Sequence, residues 1–135
     1  MTAIRKYTFG KEERLKSSIQ IARLFASGYS VTKFPFKVFW DFTVTDDQNV
    51  PVRTAISVPK KNFKKAVDRN LIKRRLREAY RKNKFIIYEA LAEKNIKINL
   101  VILYLPDKIL ESDEIQAGYT RLFRELTLAI NRNYE

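Results

Sequence analysis

The chain has 135 residues, of which 45% are hydrophobic and only three are glycine and four proline; this is the composition of one folded domain rather than a disordered or fibrous chain. It contains no cysteine and no histidine, which excludes disulfides, thiolate nucleophiles, thiolate metal sites and nuclease mechanisms built on an imidazole. No apolar run approaches the roughly 18 residues of a membrane span, and the first residues lack the apolar block of a signal peptide, so a cytoplasmic protein without a membrane partner is expected.

Residues 1–14 are basic and are expected to be a mobile lead-in to a single domain spanning residues 1–135. Ser17 or Ser18 then caps a first helix that runs to about Ala26 and stops at Gly28. Its apolar residues Ile21, Leu24 and Phe25 share one face. From Phe36 to Val44 the period becomes two, with Phe36, Val38, Trp40, Phe42 and Val44 on one side of a strand. Phe39 places an aromatic ring on the polar side, where it either contacts the first helix, serves a ligand, or does both. Asp46 and Asp47, the one adjacent acidic pair, lie in a polar stretch that reads as a hairpin turn rather than a metal site. A second strand, Val52 to Val58, follows.

Charge is concentrated in what comes next. Residues 53–84 hold 13 of the 27 lysines and arginines and only two acids, Asp68 and Glu78, so the rest of the chain is nearly neutral although the formal net charge is +12. Lys60 through Lys84 reads mainly as helix, with Ile72, Leu76, Ala79 and Tyr80 as its buried stripe. At 100° per residue, Asn70, Lys73, Arg74, Arg77 and Arg81 fall within an arc of about 100° beside that stripe, and Arg69 sits on the border. A solvated helix face normally mixes signs; this one is almost wholly cationic, which points to a polyanion and leaves DNA and RNA both open. A further short helix from Phe85 to about Lys94 leads into Ile96 to Leu105, apolar on both faces from Leu100 onward, as expected of an interior strand. Ser112 is expected to cap the last helix, whose stripe is Ile115, Tyr119, Leu122, Phe123, Leu126 and Ile130.

Ser57-Val58-Pro59-Lys60-Lys61, followed by Arg69-Asn70-Leu71-Ile72-Lys73-Arg74-Arg75-Leu76-Arg77, closely resembles the signature of the bacterial ribonuclease P protein subunit. Two positions depart from it: Leu71 stands where the family usually has Arg, and Ile21 where the first helix usually carries a second aromatic beside Phe25. The resemblance extends to element order over nearly the whole chain. It implies an α/β fold, an α+β sandwich like the second domain of a small-subunit ribosomal protein. In that fold a small mixed sheet carries an N-terminal helix, a C-terminal helix and the basic helix, the last in a left-handed parallel crossover against the usual hand.

By the same resemblance the protein is the accessory subunit of an endoribonuclease whose catalytic RNA removes the 5′ leader of precursor tRNA, with no catalytic side chain of its own. Mg²⁺ is then held mainly by the RNA and substrate, and no obligatory protein partner is implied. By that resemblance Arg69, Asn70, Lys73, Arg74 and Arg77, helped by Lys60 and Lys61, would contact the catalytic RNA, and Lys65 and Arg81 of the same basic segment complete the candidate RNA-binding set. Phe25 and Phe39 belong to a cleft for the single-stranded leader. Two rivals stand beside this reading: a ribosomal or general RNA-binding protein, and a protein-only metal-dependent nuclease, which the dispersed acids disfavour.

Overall fold

Ser17 opens the first helix by accepting the Gln20 amide at 3.2 Å, and Gly28 closes it by donating to the Leu24 carbonyl, so helix α1 runs Ser18–Ser27 as its sequence signals require. The chain is represented by a computed structural model that describes residues 7–43 and 49–134. After α1 come strands β1 (Tyr29–Lys33), β2 (Phe36–Phe42) and β3 (Val52–Ser57), helices α2 (Ala66–Asn83) and α3 (Phe85–Lys94), strand β4 (Ile98–Tyr104) and helix α4 (Ser112–Asn133).

The strands form one mixed sheet in the order β1-β2-β4-β3. β1 and β2 are the hairpin, joined through Phe34 and Pro35 across a cis peptide bond, with Lys33 opposite Phe36. β2 pairs with β4 antiparallel and β3 with β4 parallel. The hairpin expected between residues 36–44 and 52–58 is therefore corrected: β4 inserts between those strands, and the Asp46-Asp47 turn lies outside the described residues. β1 was missed because Tyr29-Ser30-Val31-Thr32-Lys33 alternates too weakly, being an edge strand with an exposed face.

The two faces of the sheet differ in burial. On one, Trp40, Leu100 and Thr54 form a row, and Val38, Ile102 and Ile56 another. They meet Ile72, Leu76 and Tyr80 of α2, Ile87 and Leu91 of α3, and the full predicted stripe of α4 in the main core. On the other, the row Phe39, Val101 and Ala55 is covered, among the described residues, by α1 through Leu24 and Ile21, together with Leu15. β4 is the interior strand its sequence indicates. Two boundaries shift: α2 begins at Ala66, so Lys60 and Lys61 lie in a turn before it, and Glu111 rather than Ser112 is the cap position of α4.

The lead-in expected to be mobile is packed over its described part. A 3-10 turn, Lys11–Glu13, brings the Glu13 carboxylate into a buried ion pair with Lys84, where it also accepts from the Tyr88 hydroxyl at 2.7 Å and the Gly10 amide at 2.9 Å. Phe9 lies against Tyr80 with ring centroids 5.0 Å apart. The hydroxyls of Tyr80 and Thr54 share a buried hydrogen bond of 2.8 Å, tying α2 to β3.

Gly118 of α4 faces the β1–β2 turn so closely that a Cβ there would sit 2.5 Å from Cδ of Pro35. Gly118→Ala is expected to destabilise the protein by about 1–3 kcal/mol through overpacking, even though alanine favours the helix by up to about 1 kcal/mol. Urea denaturation measures this, and a gain in stability would show that the turn yields freely.

Candidate nucleic-acid interface

Burial of Ile72, Leu76, Ala79 and Tyr80 fixes the rotation of α2 and turns the opposite side outward. Asn70, Arg74 and Arg77 are exposed there, Lys73 is half-buried, and Lys60, Lys61 and Lys65 are exposed on the segment just before the helix. Among the described residues, none of these seven side chains has a hydrogen-bond or ion-pair partner, so the ridge presents cations whose donors are free for a phosphate backbone.

Two of the candidate RNA-binding residues have internal partners. Arg69 donates from Nη1 to the carbonyls of Phe63 at 2.7 Å and Lys64 at 3.1 Å, clamping the turn that carries Lys60 and Lys61 onto the start of α2. Phe63 is buried at the other side of that turn, near Tyr104. Arg81 holds both carboxylate oxygens of Glu78, at 2.8 and 2.6 Å, and donates to the Tyr7 carbonyl at 2.9 Å. The same pairing holds the Glu78 carboxyl below the usual carboxylate range, chiefly through the Arg81 hydrogen bonds. A third arginine of the segment, Arg75, turns inward to the Leu110 carbonyl at 2.7 Å and secures the approach to α4.

On the other face, Phe25 of α1 reaches over Phe39, with ring centroids 4.9 Å apart at 57°. Lys37 places its ammonium 5.2 Å from the Phe39 centroid. The contact with the first helix, one reading of Phe39, is thus present, while Phe25 remains 44% exposed at the rim. Ile21, in place of a second aromatic, is half-buried against the small cluster beneath α1.

Sequence reasoning did not foresee Glu13 and Lys84. Burial opposes ionisation of Glu13, but hydrogen bonds from Lys84, Tyr88 and Gly10 outweigh it and hold its carboxyl below the ordinary 4.5. Nothing local in Gly10-Lys11-Glu12-Glu13 singles out which acid goes inside, because its partner lies 71 residues away. Among the described residues no group of three or more acidic side chains converges, so this part of the chain offers no carboxylate cage for Mg²⁺. No described helix is long and apolar enough to cross a membrane.

The sequence matches the family described as Ribonuclease P over residues 9–127, and a ribonuclease P protein component from Porphyromonas gingivalis is 30% identical over 109 residues, covering 81% of this chain and 79% of that protein. The chain belongs to the ribonuclease P protein family. Another ribonuclease P protein component, from Chlorobium phaeobacteroides, is 33% identical over 112 residues, covering 78% of this chain and 77% of its own. Among solved structures, the ribonuclease P protein from Thermotoga maritima superposes with a TM-score of 0.65 at 23% identity, over 84% of this chain and 96% of that one. The Staphylococcus aureus protein gives 0.59 at 25%, over 91% and 98%. The α/β architecture with a small mixed sheet is therefore that of ribonuclease P proteins.

Lys84→Met would leave the Glu13 carboxylate buried without its cation, and we expect a loss of about 3 kcal/mol at neutral pH. Glu13 titrates lower in the fold than in the unfolded chain, so its contribution is full above pH 4.5 and is lost as pH falls through the lowered value. The deficit of Lys84→Met should accordingly shrink in acid as Glu13 takes up a proton. Urea denaturation at pH 7 and at low pH measures both; an unchanged deficit would mean that packing alone is lost.

Proposed function

We propose that this protein assists RNA-catalysed removal of 5′ leaders, binding the catalytic RNA with the outward ridge of α2 and the precursor leader between α1 and the sheet. Family membership makes it the protein component of ribonuclease P, an accessory subunit of an endoribonuclease in tRNA 5′ maturation. The observation that carries the binding reading is the row of cations on one side of α2 and on the turn before it that have no partner among the described residues. Lys60, Lys61, Lys65, Lys73, Arg74 and Arg77 meet phosphates there, with Asn70 as a neutral donor among them. Arg69 and Arg81 have a second role beside the other basic residues: they fix the turn and the N-terminal segment against the helix, and their remaining N–H groups add to the same cationic surface.

The chemistry belongs to the RNA. A chain without histidine or cysteine has no imidazole for proton transfer near neutrality and no thiolate nucleophile, and Mg²⁺ is assigned to the RNA and the substrate. For the leader, Phe25 supplies a partly exposed ring and Phe39 the floor beneath it. Stacking of unpaired bases on such rings contributes on the order of 1–3 kcal/mol per base and tolerates any sequence, as a subunit serving many precursors requires.

Reconstitution is the deciding experiment. Protein with Mg²⁺ alone should leave precursor tRNA intact, and addition of catalytic RNA should give cleavage at low magnesium that the RNA by itself does not support; cleavage by the protein alone would refute the assignment. Arg74→Ala and Arg77→Ala should each weaken RNA binding and lower the log-log salt slope by somewhat under one unit for every phosphate the variant no longer neutralises. Unchanged affinity and slope in both would remove the ridge from the account. Phe25→Ala and Phe39→Ala should reduce affinity for leader-bearing precursor more than for mature tRNA, and equal losses would count against the cleft.

A further inference from the structure

The packed N-terminal segment brings an arginine from outside the signature to the surface of α2. Arg14 forms a parallel bridge with Thr54 at the free edge of β3, and the next amide, Leu15, donates to the Thr54 carbonyl at 3.0 Å. Leu15 is buried beneath α1, and Phe9, just ahead of the 3-10 turn, is seated on Tyr80. The Arg14 side chain is held at two points: its Nε donates to the Phe9 carbonyl at 3.2 Å, and its guanidinium carbon lies 5.2 Å from the Phe9 ring centroid. Its two terminal nitrogens have no partner among the described residues.

Beside them lies an open hollow of about 240 Å³, lined by Phe9, Arg14, Arg74, Arg77, Glu78 and Arg81. The one acid in this wall is occupied, since Arg81 holds both oxygens of Glu78 and the Tyr7 carbonyl as well. What remains is a concave site with three arginines from two chain segments, a fixed aromatic floor and no free carboxylate. Guanidinium forks bind carboxylate and phosphate bidentately, and on a surface read as RNA-binding the anion supplied is phosphate.

We infer that Arg14, Arg74 and Arg77 together form a seat for a single phosphodiester group of RNA. The inference rests on the basic surface being an RNA-binding surface and adds to it a specific point of grip, shared between the N-terminal segment and α2. The position at the β3 edge, between the ridge and the α1 face, allows two sources for the phosphate: the catalytic RNA or the leader.

The test uses the full chain with the catalytic RNA, and compares wild type, Arg14→Ala, Arg77→Ala, the double variant and Lys61→Ala, a ridge variant outside the seat. Affinity is measured against salt in two arms: binding of catalytic RNA alone, and binding of leader-bearing or leaderless precursor by the reconstituted particle. In the arm that supplies the phosphate, each single arginine variant should lose about tenfold in affinity, and the double variant little more than either. The log-log slope of the double variant should fall by about one unit, where two separate phosphates would cost about two. An effect confined to leader-bearing precursor assigns the phosphate to the leader; an effect on catalytic RNA alone assigns it there. Arg14→Lys, which restores charge without the fork on Phe9, should recover most of the salt slope, and behaviour like Arg14→Ala would show that only anchoring of the segment matters and overturn the seat. Additive losses in the double variant, or no effect of Arg14→Ala in either arm while Arg77→Ala and Lys61→Ala bind weakly, would overturn it too and leave the RNA-binding surface standing. Wild-type binding by all of the variants would overturn that surface itself.

Discussion

The placement of β4 between β2 and β3 is the constraint from which the working surface follows. Because β3 and β4 are parallel neighbours, no tight turn joins them, and the chain must cross one face of the sheet to connect their ends. That crossing is made by α2 and α3, which pack with α4 over the same face and leave the other to α1. Once Ile72, Leu76, Ala79 and Tyr80 are committed to the core, the remaining side of α2 faces water. Its charges have no alternative, since burying unpaired guanidinium and ammonium groups is far too costly.

Cations in the basic segment consequently divide into two populations. Lys84 is buried on Glu13, Arg75 reaches the Leu110 carbonyl, Arg69 the carbonyls of Phe63 and Lys64, and Arg81 both Glu78 and Tyr7. Each of these groups makes at least one hydrogen bond or ion pair within the protein, and together they set the relative positions of the N-terminal segment, the turn before α2 and the entry to α4. Lys60, Lys61, Lys65, Lys73, Arg74 and Arg77 make no such bonds among the described residues. Net charge alone conceals this difference, and the ridge is a smaller surface than the count of basic residues suggests.

Much of the fold was legible because it is written in local periodicity. The stripe of α4, the four buried residues of α2, the limits of α1 and the interior character of β4 all follow from spacing within a few turns or residues. Strand pairing was not legible. Residues 36–44 and 52–58 look like the two arms of a hairpin when read along the chain, and only the long-range insertion of β4 separates them. Glu13 and Arg14 were invisible for a related reason: their roles are defined by Lys84, Tyr88 and Thr54, which are distant in sequence. The arc on α2 was read correctly as a surface, yet helical geometry alone could not reveal that the guanidinium groups of Arg69 and Arg81 fold back onto the protein.

Arg69 illustrates what this division means for sequence drift. A ridge cation outside the Arg14, Arg74 and Arg77 seat, meeting phosphate mainly as a positive charge, is roughly interchangeable between lysine and arginine. Arg69 is not, because a single Nη1 serves two adjacent carbonyls while the planar head keeps its orientation, and an ammonium on a flexible stem does not reproduce that geometry. Exchange between the two basic residue types should therefore be common at Lys60, Lys61, Lys65 and Lys73 and rare at Arg69, so that a position held as arginine in this segment marks a fastener of the scaffold as readily as a group that meets the ligand.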